Sequence, residues 1–373
     1  AQLEEVGGRA YLAGLTEAVA SIANVEHHSR IVLEKAVTNK LIEAANRIIQ
    51  KAYQPIEDID EFLDDAEQEI FNIKNETLKG EIIPISNILQ ETMHMIESYS
   101  TRKGHLTGIP TGFHDLDDLT SGFQNSDLII VACRPSVGKT SFSLNIAEHV
   151  AVETRTPVLV FSLEMSKQQI AQRMLCSRAR ISSHLMRTGK LADHQWTNLS
   201  IALGPLSEAP IFIDDSPIIN VLEMRAKARR LKSREGIGLV VIDYLQLIQG
   251  PKNVESRQQE ISYISRSLKA MARELDLPVI ALSQLSRQIE LRGKEAKPQL
   301  SDLRESGALE QDADVVIFIH RHRDEEGHWG AEAEIMISKQ RNGPTGIVEL
   351  VFMKDYARFE LKDTFHGFAA PEP

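Results

Sequence analysis

Cysteine is nearly absent from this chain: Cys133 and Cys176 are the two in 373 residues. That excludes a disulfide framework, and their separation excludes the paired spacing of a zinc site. No apolar run approaches the ~20 residues of a bilayer span, and the opening residues lack the basic-then-apolar order of a secretory signal. A reducing, cytoplasmic setting without membrane contact is the expectation. Positive charge is in deficit, with 42 Lys and Arg against 53 Asp and Glu for a net −11. Contact with nucleic acid therefore has to come from a local basic surface rather than a global field. No internal repeat or low-complexity tract occurs. The remaining composition, 42% hydrophobic and 25% charged, is that of an ordinary globular protein, long enough for two or three domains.

What is present is concentrated in one stretch. The apolar run Leu128-Ile129-Ile130-Val131-Ala132 leads into Cys133-Arg134-Pro135-Ser136-Val137-Gly138-Lys139-Thr140-Ser141. A run without alternation reads as a strand buried on both faces, as in a covered parallel sheet. From Phe142 to Val150 the apolar positions fall at helical spacing. Strand, tight loop, Gly-Lys-Thr and helix together make a phosphate-binding loop. Backbone N–H groups and the helix N-terminus suit the α- and β-phosphates of a nucleoside triphosphate. Lys139 is placed for the β- and γ-phosphates and Thr140 for Mg²⁺. Cys133 stands where the motif normally begins with glycine, the residue that eases a tight turn. The competing possibility is a Gly-Lys-Thr turn met by chance.

Three more apolar runs end in polar residues. Leu239-Val240-Val241-Ile242 ends in Asp243, Val158-Leu159-Val160-Phe161-Ser162-Leu163 in Glu164, and Val279-Ile280-Ala281-Leu282 in Ser283-Gln284. Ligands of open α/β sheets bind beyond the carboxyl ends of strands. Asp243 is thereby a candidate metal residue, Glu164 a candidate base for the attacking water, and Gln284 a candidate sensor of the γ-phosphate. Taken alone, Glu164 is more often an ordinary strand-end residue or a helix N-terminal charge.

The first hundred residues differ. Between Gly14 and Gly80 there is no glycine, and Leu33, Val37, Leu41, Ala44, Ile48 and Ala52 recur at three- and four-residue steps, as on a helix with one apolar face. Asp58 and Glu61 have capping-box spacing ahead of Phe62, Ala66, Ile70 and Ile73. We expect an all-helical domain over 1–78, beginning inside the domain. A linker follows over 79–106, where Ile85, Ile88, Leu89, Thr92, Ile96 and Tyr99 form a stripe. That stripe packs either on its own domain or on a neighbouring subunit. An ATPase domain occupies 107–373.

From Thr107 to Arg358 these residues add up to a family. Added to the phosphate loop are Phe161-Ser162-Leu163-Glu164-Met165, Val241-Ile242-Asp243-Tyr244-Leu245-Gln246, Ala281-Leu282-Ser283-Gln284-Leu285, Asp302-Leu303-Arg304-Glu305-Ser306-Gly307 and Ser338-Lys339-Gln340-Arg341-Asn342-Gly343-Pro344. In this order they resemble the motor domain of DnaB-type replicative helicases. Val6-Gly7-Gly8-Arg9-Ala10-Tyr11-Leu12 looks like the middle of that family's helical N-terminal domain, whose opening helices have no counterpart here. The resemblance implies an α/β RecA-like P-loop ATPase domain preceded by a small all-α N-terminal domain and a linker helix. It also implies a hexameric ring on single-stranded DNA, with primase and a helicase loader as partners.

By the same resemblance Arg173 lies against the nucleotide base, and Lys339 and Arg341 reach the nucleotide of the next subunit. Alternate strand residues share a face, so that pair can converge on one phosphate; without the family match the pair would read as a solvated strand edge.

For DNA, Arg287, Arg292, Lys294, Lys297 and Arg304 outnumber the three acidic residues of the same loop. In the family the turn matching Arg304, Glu305 and Gly307 lines the central channel, and a second channel loop spans Gly250 to Arg257. Neither loop carries interleaved aromatics, so binding is expected to rest on phosphates and ignore base sequence. The denser run Arg225, Lys227, Arg229, Arg230, Lys232 and Arg234 covers more than one helix face, which suits a solvated surface better than a DNA track. Beside a helicase stand a RecA-like recombination or regulatory ATPase, and a small-molecule kinase or nucleotide-dependent scaffold.

Overall fold

A computed structural model describes residues 25–54, scattered positions between 62 and 97, and then 106–250, 256–293, 296–303, 307–323 and 328–362. The chain forms two compact units, Ala1–Thr101 and Arg102–Pro373. In the first, helix α1 (Val25–Ala52) carries the stripe from Leu33 to Ala52. Ala44 is buried and Val37 and Ile48 are partly covered, whereas Leu33 and Leu41 stay about half exposed. Arg47 of α1 pairs with Glu69 at 2.8 Å. The Asp58/Glu61 capping box lies outside the described residues.

The second unit is a nine-stranded mixed sheet. Its strands are β1 (Leu128–Cys133), β2 (Val158–Ser162), β3 (Ile211–Asp214), β4 (Leu239–Asp243), β5 (Val279–Gln284), β6 (Val315–Arg323), β7 (Trp329–Gln340), β8 (Gly346–Met353) and β9 (Arg358–Leu361). They lie in the order β3-β2-β4-β5-β1-β6-β7-β8-β9. The strands up to β6 pair in parallel, and β6 to β9 continue as an antiparallel meander. Helices α2 (His114–Thr120), α3 (Lys139–Glu153), α4 (Lys167–Ala179), α5 (Ser183–Thr188), α6 (Asp193–Glu208), α7 (Val221–Glu235), α8 (Arg257–Leu275) and α9 (Gly307–Asp312) complete it.

The unbroken apolar strands follow from burial on both faces. Along β1, Ile129, Val131 and Cys133 enter one core layer with Phe142 and Ile146 of α3. Leu128, Ile130 and Ala132 enter the other with Met224 of α7 and Leu268 of α8. Phe142 also stacks on Phe113 with ring centres 5.4 Å apart and meets the edge of Phe359 at 5.6 Å. Such pairs add about 1 kcal/mol each beyond burial, here fixing the helix that follows the phosphate loop. Every strand-end residue singled out above lies at one edge of the sheet, because the parallel ladder aligns Ser162 with Asp243 and Cys133 with Gln284.

Candidate nucleotide site

The phosphate loop leaves β1 at Cys133 and enters α3 at Lys139. Cys133 is still strand, fully buried, and its thiol is pushed up to about 12, chiefly by burial. Positive φ falls instead at Ser136 (65°) and Gly138 (124°). The turn that glycine was expected to ease at position 133 is therefore made three and five residues later, and a small buried thiol fits the strand end. At Gly138 a Cβ would lie 2.9 Å from the Phe359 ring, so both conformation and space require glycine there.

Four polar groups converge beyond the loop. Lys139 Nζ lies 2.8 Å from Asp243 Oδ1 and 3.4 Å from Glu164 Oε2. The Thr140 hydroxyl donates to Asp243 Oδ2 at 2.6 Å. Lys139 is largely buried, which disfavours its charge, yet Asp243 and then Glu164 hold its pKa above the ordinary lysine value. The ammonium also rests 4.2 Å above the Tyr244 ring, a cation–π contact that sequence reasoning did not single out.

Glu164 is positioned by its neighbours. The Leu163 N–H donates to the Asp243 carbonyl at 2.8 Å, and the Ser162 hydroxyl to the Met165 carbonyl at 2.7 Å. Ser166 and Gln169 close a capping box that starts α4. The carboxylate itself remains about half exposed, open to water. Arg173 lies on α4, partly buried.

Arg321, a second residue missed in the sequence, lies beneath the loop. It is buried, donates to the Val137 carbonyl at 3.1 Å and, through Nε, to the Gly330 carbonyl at 2.8 Å. Burial brings its pKa down to about 10. Nothing in the alternating run His320-Arg321-His322-Arg323 marks which basic residue turns inward.

Lys339 and Arg341 converge as strand alternation requires, though on their own chain. Lys339 Nζ donates to the carbonyls of Glu310 (2.5 Å) and Ala313 (2.7 Å), and Arg341 Nη2 to that of Gln311 (2.6 Å). Both cap the C-terminal end of α9, where cations are favoured. Burial, then Arg341, lowers the Lys339 pKa.

The candidate DNA residues are only partly in view. Arg304 and Glu305 lie outside the described residues, as does the side chain of Arg287, whose backbone opens a 3₁₀ turn; Gly307 opens α9. Two of the loop's five cations are already engaged, Arg292 with buried Asp302 and Lys297 with Glu334 at 2.7 Å. The denser run on α7 is paired too: Arg225 and Arg229 with Glu274, and Lys227 with Asp214.

The donor set fits Mg²⁺ with a nucleotide. Among the described residues no group of three His, Cys, Asp or Glu side chains could hold a metal by itself. Mg²⁺ usually takes one or two protein oxygens and completes its shell with phosphates and water. Asp243 and Thr140 present such a pair of hard oxygens.

Residues 108–361 match the DnaB-like helicase C terminal domain. The chain is similar to the replicative DNA helicase DnaB of Geobacillus stearothermophilus, 53% identical over 363 residues that cover 96% of this chain and 79% of that one. It is similar also to the replicative DNA helicase DnaC of Bacillus subtilis, 49% identical over 373 residues covering 99% and 82%. Among solved structures, a DnaB-like replicative helicase, described with its interactions with primase, superposes with a TM-score of 0.77 at 36% identity, covering 96% of this chain and 84% of that one. A solved ATPase domain gives 0.70 at 40% identity, covering 75% and 99%.

Proposed function

This chain belongs to the DnaB-like family of replicative, ATP-dependent DNA helicases, and from that membership we propose how its residues divide the work. The observation that carries the assignment is the convergence of Lys139, Thr140, Asp243 and Glu164 at one sheet edge. Lys139 leaves Asp243 for the β- and γ-phosphates of ATP, and residues Cys133 to Ser141 cradle the phosphate chain. Thr140 and Asp243 would hold Mg²⁺, which would supply positive charge to the phosphate oxygens. Glu164, exposed and fixed at its backbone, orients and deprotonates the attacking water. Gln284 senses the γ-phosphate, and Arg173 lies against the base. Lys339 and Arg341 exchange their α9 carbonyls for the nucleotide of the adjacent subunit, which stabilises charge on the transferring phosphoryl group.

The chain acts in this proposal as a hexameric ring in the cytoplasm, and among its described residues no helix is long and apolar enough to cross a membrane. Single-stranded DNA passes the loops containing Arg287, Arg304, Glu305 and Gly307. Primase is a proposed partner, as for the solved DnaB-like helicase, and a helicase loader is proposed by family resemblance. The proposed domains are 1–78, 79–106 and 107–373.

Strand displacement on forked DNA with ATP and Mg²⁺, run beside native mass measurement, tests the assignment. Unwinding by a hexamer is the expected result. DNA-dependent hydrolysis by a filament with no displacement would favour a RecA-like recombination or regulatory ATPase instead.

A further inference from the structure

Strand β5 ends in Gln284, and its neighbours treat that end unequally. On one side β1 stays in register to the last residue, Cys133 with Gln284. On the other, the β4 ladder stops at Ile242 with Ala281, because the chain turns away at Tyr244 into the 3₁₀ turn Leu245–Leu247. The side chain of Gln246 fills the gap. Its Oε1 accepts from the Gln284 N–H at 3.3 Å, and its Nε2 donates to the Gln284 carbonyl at 3.3 Å and to the Ser283 hydroxyl at 3.0 Å. A primary amide has the donor and acceptor of a peptide edge, so it pairs with both edges of one residue as a further strand would. The reversed amide would set oxygen against oxygen, which fixes its orientation.

The main chain of Gln246 is tied in the opposite direction. Its carbonyl accepts from Arg257 Nη2 at 2.6 Å. Arg257 Nη1 contacts Glu260 Oε2 at 2.5 Å, and Glu260 Oε1 accepts from the Gly250 N–H at 3.0 Å. At Gly250 a Cβ would collide with Glu260 Cγ, so no side chain fits. Both described ends of the 250–257 loop are thus fastened to each other and to Gln246.

We infer that Gln246 is a positioning residue that joins the γ-phosphate sensor to the base of the 250–257 loop. Its side chain sets the height of Gln284 at the strand end, and its backbone carries the loop. A shift at either end is transmitted through one rigid turn, so nucleotide state and single-strand contact bias each other. The inference rests on the role proposed above for Gln284 and on the channel role that the family resemblance implies for that loop.

Linkage makes the coupling measurable from either side. The affinity of the full chain for a labelled oligo-dT is measured at fixed salt, once with a non-hydrolysable ATP analogue and once with ADP. The ratio of the two is compared among wild type, Gln246→Met, Gln246→Glu and Arg257→Ala. Wild type is expected to show a ratio of at least about 5, the lower range of ordinary coupling. In Gln246→Met the ratio should fall towards 1. Gln246→Glu conserves volume but opposes a carboxylate to the Gln284 carbonyl, so it should fall as far; a residue that only fills space would tolerate it. Arg257→Ala should reduce the ratio, and the Gln246→Met/Arg257→Ala double variant should lose no more than the worse single, as for two links of one chain. Retention of the wild-type ratio in Gln246→Glu and Arg257→Ala, with assembly intact, overturns the inference. A ratio of 1 in wild type overturns the proposed roles of Gln284 and the loop themselves, and the inference with them.

Discussion

The ammonium of Lys139 lies 2.8 Å from Asp243 Oδ1, and both side chains are largely withdrawn from solvent. The residue assigned to phosphate and the residue assigned to metal thus neutralise each other. Removing one member of a buried pair leaves the other uncompensated and costs about 3 kcal/mol or more. Lys139→Ala is therefore expected to lower nucleotide-free stability in a denaturant titration and to abolish ATP binding. Glu164, about half exposed, contributes little to folding. Glu164→Gln should keep both stability and ATP affinity while turnover falls by about 10²–10⁴-fold. Normal hydrolysis by Glu164→Gln would assign the base elsewhere.

For the trans pair, Arg341 is the cleaner probe. Both side chains cap α9, but Lys339 donates to the carbonyls of Glu310, Gln311 and Ala313 and Arg341 to that of Gln311 alone, so Lys339→Ala removes the larger part of the cap, about 1 kcal/mol. Arg341→Ala should assemble and bind ATP but hydrolyse it about 10³-fold more slowly. Mixing it with Lys139→Ala subunits should restore part of the activity at interfaces that retain both groups. An isolated monomer with full activity would rule out a trans contribution.

The α7 run is a test of DNA path. Arg229 holds Glu274 of α8 at 2.8 Å, so reversing its charge would damage packing between α7 and α8 whatever the DNA does. Arg230 is exposed, and Arg230→Glu isolates the electrostatic question. It is expected to leave single-strand affinity unchanged, whereas Arg304→Ala should reduce the slope of log affinity against log salt by about 1. The opposite pattern would route the strand over the outer surface.

Asp127 gives a pH dependence. Burial, followed by repulsion from Asp314, raises its pKa to about 6, against the attraction of Lys269 and Arg341. The folded protein therefore holds this proton more tightly than the unfolded chain, whose carboxyl titrates near the ordinary 3.8. The favourable contribution is complete below that value and is lost as pH rises through about 6. Asp127→Asn should accordingly stabilise the protein at pH 8, by at most about 3 kcal/mol at 1.36 kcal/mol per unit, and change nothing at pH 3.5. Melting temperatures at the two pH values check this; equal shifts at both would exclude titration of Asp127 as the cause.

Much of the site was legible in the sequence because its chemistry is local. Unbroken apolar runs mark strands covered on both faces, and a residue at the end of such a run is at the sheet edge whatever the strand order. Hence Lys139, Thr140, Glu164, Asp243 and Gln284 could be named from the chain alone. The positive-φ turn at Ser136 and Gly138 could not be separated from Cys133 by motif spacing, since only backbone geometry tells where a strand stops. Pairing across the sheet was decided by tertiary structure. It brought Glu274 to the basic face of α7, turned Arg321 under the phosphate loop, placed Lys339 on the end of α9, and set the amide of Gln246 against Gln284. Each of these joins segments far apart in sequence, whose meeting depends on strand order, and strand order follows from how the two core layers pack rather than from any residue pattern along the chain.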